Sequence, residues 1–149
     1  MAIRRIRYNG DPILRKRCQE VRFVDNNIRH LLSDMVWTLY HTKNAMGLAA
    51  CQIGILKRLV VIHMNGKSIK LINPKIIKQS GMQRCIEGCL SCPNIFGRTI
   101  RPQKVTIQAL NEKGEQVILE GEGELAKCLC HEIDHLDGIL FVDKVIEFL

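Results

Sequence analysis

Apolar side chains recur at two different periods along this 149-residue chain. Ile28, Leu31, Leu32, Met35, Val36 and Leu39 fall at the i, i+3, i+4, i+7 spacing of one helix face. Asp25 can cap that helix, which is expected to end near Lys43 and Asn44. His30 and His41 lie off the stripe and are expected to face solvent. Downstream the period shortens. Residues 58–64 read as a buried strand, Asn65-Gly66 as a turn, and residues 69–72 and 75–79 as two further short strands, with Pro74 limiting their pairing. His63 reads as a satisfied core or edge histidine. In residues 104–110, Val105, Ile107 and Ala109 alternate with polar neighbours. Residues 115–120 form a second strand, and the turn residues 111–114 join the two as a hairpin. The helical period then returns at Leu125, Cys128, Leu129 and Leu136, with Gly138 as the stop. The first stretch, to Phe23, is extended around a turn at Asn9-Gly10-Asp11-Pro12, and an apolar tail follows from Phe141. With no repeat or linker, residues 1–149 read as a single α+β domain, its short antiparallel strands packed around a C-terminal helix, with an N-terminal helix.

Composition narrows this picture. Hydrophobic residues make up 46% and charged residues 25%, the balance of a globular protein with a core of its own. No apolar run reaches the roughly 18 residues that span a bilayer, and no apolar segment follows the basic N-terminus as a secretory signal requires. Seven cysteines are many, but their odd number and the absent signal argue against a disulfide framework and for the cytoplasm. The net charge of +7 favours an anionic neighbour such as ribosomal RNA. The basic residues are scattered, without the stripe that DNA binding would need, so a merely basic surface is the simpler reading.

The sharpest chemical statement is His131-Glu132-Ile133-Asp134-His135. Spaced by four on a helix, the two imidazoles share one face and can close on one divalent metal, with Glu132 beside them to handle the proton of a water. The C-terminal helix is therefore a metal-binding helix. A catalytic metal wants a third protein ligand and an open position. The densest source is Cys85-Ile86-Glu87-Gly88-Cys89-Leu90-Ser91-Cys92-Pro93, where Gly88 can bring backbone close to a ligand and Pro93 marks the end of the segment. Two other uses of these cysteines stay open. The spacing of Cys85, Cys89 and Cys92 matches that of iron–sulfur radical enzymes, although those use a barrel too large for this chain. A closed structural zinc site on the three cysteines and one histidine would leave Glu132 idle.

Three segments together resemble the peptide deformylase family: Ala45-Met46-Gly47-Leu48-Ala49-Ala50-Cys51-Gln52, Glu87-Gly88-Cys89-Leu90-Ser91, and His131-Glu132-Ile133-Asp134-His135. Their order and rough separation agree with the family, and the likeness spans nearly the whole chain. The resemblance implies removal of the formyl group from the formylmethionine of nascent bacterial or organellar polypeptides. Cys89, His131 and His135 would hold the metal, with water in the fourth position. Ferrous iron would be the physiological ion, with zinc, nickel or cobalt as substitutes. Glu132 would act as general base and then acid, and the side-chain amide of Gln52 with the backbone N–H of Leu90 would stabilise the oxyanion. Substrate would lie along backbone at Gly47, with Met46, Ile86 and Cys128 lining the methionine pocket. A monomer that meets nascent chains at the ribosome surface is expected. Three departures stand out: Ala45 replaces the first glycine, Cys51 an often-present proline, and Cys130 the usual glutamine. The short tail omits the long C-terminal helix by which some members dock on the ribosome. The alternatives are a metallopeptidase and a catalytically impaired, deformylase-like ribosome-binding module.

Overall fold

A computed structural model describes residues 1–149. Its elements are α1 (Asn26–Tyr40), β1 (Gly47–Ala49), β2 (Leu59–Met64), β3 (Lys67–Ser80), β4 (Gln83–Cys89), β5 (Cys92–Arg101), β6 (Lys104–Leu110), β7 (Gln116–Glu122), α2 (Glu124–Leu136) and β8 (Glu147–Phe148). Short 3-10 turns cover Pro12–Arg15, Ala50–Ile53 and Phe141–Asp143. All strand pairs of the two sheets are antiparallel. One sheet has the order β1-β2-β3-β6-β7, the other β4-β5-β8.

The five-stranded sheet is covered on both faces, which explains the uninterrupted apolar run of β2. Val60 and Ile62 face α2, in a core with Leu71, Val105, Ile107 and Leu129. Leu59 and Val61 face α1, in a second core with Leu32, Met35 and Leu39. A strand buried on two sides has no polar face to alternate with. Asp25 does cap α1, its Oδ1 accepting from the Ile28 N–H at 3.0 Å. The helix stops at Tyr40, a few residues before Lys43, and Asn44 takes a left-handed turn conformation (φ 61°). His30 and His41 are exposed. His63 is half-buried and paired through Nδ1 with Ser68 Oγ at 2.9 Å.

The two short strands expected on either side of Pro74 are one strand, β3. The proline sits at a bulge, where the pairing register with β6 shifts between Ile72 and Lys75, so its missing N–H leaves no gap in the ladder. Asn73 makes the bulge possible by adopting φ 53°, with its amide accepting from Val21 N–H and donating to Val21 O, both at 2.8 Å.

Residues 83–101 form the β4–β5 hairpin. Pro93 does not end its segment. The chain turns at Leu90-Ser91 and Pro93 is the second residue of β5. These strands alternate, but in the opposite sense to an ordinary core strand. Glu87, Thr99 and Arg101 point inward, while Ile86, Phe96 and Ile100 are exposed. Polar-in, apolar-out alternation gives no core signal. The tail adds β8 to the edge of this small sheet.

Helix α2 ends in a Schellman turn: Ile139 N–H donates to Asp134 O at 3.0 Å and Gly138 N–H to His135 O at 3.1 Å, with Gly138 at φ 76°. The N-terminal segment lies across this end. Cys18 N–H donates to Leu136 O at 2.8 Å, and a Cβ on Gly138 would stand 2.6 Å from Arg15 O. Buried Arg58 secures the crossing, donating from Nη1 to Leu136 O at 3.1 Å and to Asp137 Oδ1 at 3.0 Å.

Candidate metal centre and its cavity

Helical spacing by four brings His131 and His135 together, with ring centroids 5.1 Å apart. The β4–β5 turn lies over them and carries Cys89, whose Sγ is 3.4 Å from His135 Nε2. One donor atom from each of Cys89, His131 and His135 lies within 4.8 Å of the other two, the only such group of three in the structure. One sulfur and two imidazole nitrogens at this spacing suit a divalent transition metal. The wider cluster needed for a closed site on Cys85, Cys89 and Cys92 does not form. Cys85 faces Thr99 in the hairpin ladder, and Cys92 packs with Leu14, Leu140 and Phe141.

The two histidines are held differently. His131 Nδ1 is 2.7 Å from Glu87 Oε1, which leaves Nε2 for the centre. Glu87 is itself gripped by buried Arg101, through Nε at 2.7 Å and Nη2 at 2.9 Å, and by the Thr99 hydroxyl. Arg101 Nη1 continues to Asp134 Oδ2 at 2.7 Å. Burial opposes the Glu87 charge, but hydrogen bonds from His131 and Arg101 outweigh it and hold the carboxyl far below its ordinary range. A carboxylate behind a ligand histidine sets the ring's orientation and tautomer. His135 has no such partner, and its Nδ1 is buried without a hydrogen bond.

Glu132 is buried at the floor of a cavity, with Oε2 4.0 Å from His131 Nε2 and Oε1 unpartnered. Burial pushes its carboxyl up to about 7, the Glu87 charge adding to the rise while His131 and Arg101 oppose it. A cation among the three donors would favour the carboxylate. Hydrogen bonding with Cys92, then burial, then the Glu132 charge hold the Cys89 thiol well above its ordinary value, and a divalent cation reverses that too.

A cavity of about 470 Å³ opens over these groups. Of the metal, catalytic and substrate-binding residues expected from the sequence, Met46, Gly47, Gln52, Ile86, Cys89, Leu90, Cys128, His131 and Glu132 line it, and His135 lies behind. Gly47 is there for space: a Cβ would stand 2.7 Å from Glu132 Oε2 and 2.9 Å from Cys128 Sγ. Gln52 is oriented at both ends, Oε1 accepting from Ala49 N–H at 2.9 Å and Nε2 donating to Ser91 Oγ at 3.1 Å, with Cys89 Sγ at 3.6 Å. Ala45 also lines the cavity without a positive φ, so its backbone does not call for glycine. Cys51 donates through Sγ to His135 O at 3.4 Å. Sequence reasoning passed over Glu87 and missed Arg101 and Thr99. Glu87 was visible beside Cys89, whereas Arg101 is linked to it only by the hairpin register.

Comparison with known proteins decides the family. The profile described as Polypeptide deformylase matches residues 3–148. The chain belongs to the peptide deformylase family. It is 57% identical to peptide deformylase 2 of Clostridium acetobutylicum over 149 residues, covering 100% of this chain and 99% of that one. Among solved structures, peptide deformylase from Thermotoga maritima superposes with a TM-score of 0.93 at 38% identity, covering 97% of this chain and 99% of that chain. The Synechococcus elongatus enzyme, in complex with actinonin, gives 0.91 at 39% identity, covering 95% and 78%. The chain is thus an enzyme of the family whose activity is metal-dependent deformylation, acting on formylated nascent peptides.

Proposed function

We propose that Cys89, His131 and His135 hold a single divalent metal, ferrous iron in the cell, and that Glu132 moves the proton during hydrolysis of the formyl amide. The carrying observation is the convergence of these three donors beside a buried carboxylate whose Oε1 has no partner. When bound, the metal supplies Lewis acidity towards water and the formyl oxygen. Glu132 accepts the proton of the attacking water and delivers it to the departing amine. The Gln52 amide, held by Ala49 and Ser91, and the Leu90 N–H donate to the developing oxyanion. The methionine side chain enters the cavity between Met46, Ile86 and Cys128. The peptide runs beside Gly47, because β1 is the outer strand of its sheet and can take an added strand.

Residues 1–149 act as one catalytic domain and as a monomer. Seven unpaired cysteines suit the reducing bacterial cytoplasm, and the +7 charge favours meeting the substrate near ribosomal RNA. The metallopeptidase alternative fits less well, since neither the family match nor the thiolate ligand favours it. The binding-module alternative leaves the proton carrier and the oriented amide without use. Formate release from a formyl-Met tripeptide, by protein loaded anaerobically with iron or nickel, is the test. A fully metallated protein that releases no formate overturns the proposal. Metal analysis of anaerobically purified protein reads the physiological ion.

A further inference from the structure

Cys89 is not alone on its turn. Cys92 is its register partner across the β4–β5 hairpin, with only Leu90 and Ser91 between them. Residues that face each other in an antiparallel pair have Cα atoms about 4.5–5.5 Å apart and side chains on the same face. That separation lies inside the range a disulfide bridges, about 4.4–6.8 Å. Both sulfurs belong to one packed cluster with Leu14, Leu140 and Phe141. Cys89 is half-buried and reaches the cavity, whereas Cys18 and Cys51 are sealed in the interior. No other cysteine is paired with Cys89 in the strand register.

We infer that Cys89 and Cys92 form a reversible disulfide that releases the metal and shields the ligand sulfur from irreversible oxidation. The inference rests on the reading of Cys89 as a metal ligand. The oxidant is hydrogen peroxide. The Cys89 thiolate attacks one peroxide oxygen, the O–O bond breaks, and the departing hydroxide is protonated to water, giving a sulfenic acid. Cys92 sulfur then attacks Cys89 Sγ, the S–O bond breaks, and hydroxide leaves with the Cys92 proton as a second water. The two sulfurs together give two electrons to the peroxide. In the disulfide, the sulfur has no thiolate charge for a metal, and two imidazoles alone remain.

The test uses the full-length chain loaded with zinc, which takes no part in the redox chemistry. On treatment with hydrogen peroxide, a chromogenic chelator should register release of the zinc while free thiols fall by two per chain. The tryptic peptide spanning residues 85–98 should lose two hydrogens, with fragmentation placing the bond between Cys89 and Cys92. Dithiothreitol should restore the thiols and zinc binding. The Cys92→Ser variant should bind zinc when reduced, yet after peroxide retain a sulfinic or sulfonic acid at Cys89 that dithiothreitol does not reverse. Thiol recovery in Cys92→Ser equal to that of the parent, or a peptide map with Cys92 free in the oxidised parent, overturns the inference. Should reduced, metallated protein release no formate while the disulfide still forms, the catalytic reading fails and this one stands.

Discussion

Gly47→Ala separates the position of the proton carrier from the assembly of the metal centre. The new Cβ would lie 2.7 Å from Glu132 Oε2, 2.8 Å from Glu132 Cγ and 2.9 Å from Cys128 Sγ, where ordinary contact begins at 3.4 Å. The shortfall of up to about 0.7 Å must be made up by moving Glu132, since α2 and β1 are both packed into the core. Gly47 has no positive φ, so the perturbation is steric and not conformational. Overpacking of this kind costs about 1–3 kcal/mol of stability. Misplacing a reacting group by about 1 Å costs roughly 100-fold in rate. The expected outcome is a fall in kcat of about that size, with full metal content and a folded protein; crowding of Cys128 raises KM besides. Formate release, metal analysis and thermal unfolding on one preparation measure these together. Wild-type kcat in a folded, fully loaded Gly47→Ala protein would refute the role given to Glu132.

Three further outcomes follow from the geometry. Arg101→Met strands Glu87 in the interior without its partner, so urea unfolding should show a loss of about 3–5 kcal/mol, and metal affinity should drop about 10–100-fold through the loosened His131 ring. Gln52→Ala should lower kcat about 100-fold or more while metal content holds. If the metal is lost instead, Gln52 supports the centre and not the oxyanion. Asp34 is held below the ordinary carboxylate range by the Ala2 N–H, with burial opposing and Arg4 adding to the drop. A lowered folded-state pKa contributes stability above the unfolded value that is lost as pH falls through the folded one, so Asp34→Asn should lower stability at neutral pH, flatten the acid limb of the stability curve and converge with the parent in acid, as urea unfolding across pH measures.

Helix α2, with its two histidines and glutamate, was legible because a single segment carries both the period and the chemistry. The β2 strand was legible from its unbroken apolar run. Two features hid the rest. Pro74 read as a break because the asparagine bulge that absorbs it depends on Val21, about fifty residues upstream. The β4–β5 hairpin could not be read from hydrophobicity, since its inward positions hold Glu87, Thr99 and Arg101 and its outward ones Ile86, Phe96 and Ile100. The polar triad exists to support His131, and the ladder that assembles it becomes visible only once Cys89 is seen turning back on Cys92. Cys89, quoted in the family motif, was identifiable; the structure behind it was not.

The crossing of residues 15–18 over the end of α2 gives the molecule a built-in order of completion. During synthesis residues 15–18 leave the ribosome long before Leu136 and Gly138, the groups they meet in the finished fold. The sulfur at 89 likewise waits for imidazoles that are made more than forty residues later. A copy stopped short of His131 therefore lacks both imidazoles of the proposed centre, so the enzyme cannot work on its own starting residue until α2 has been made.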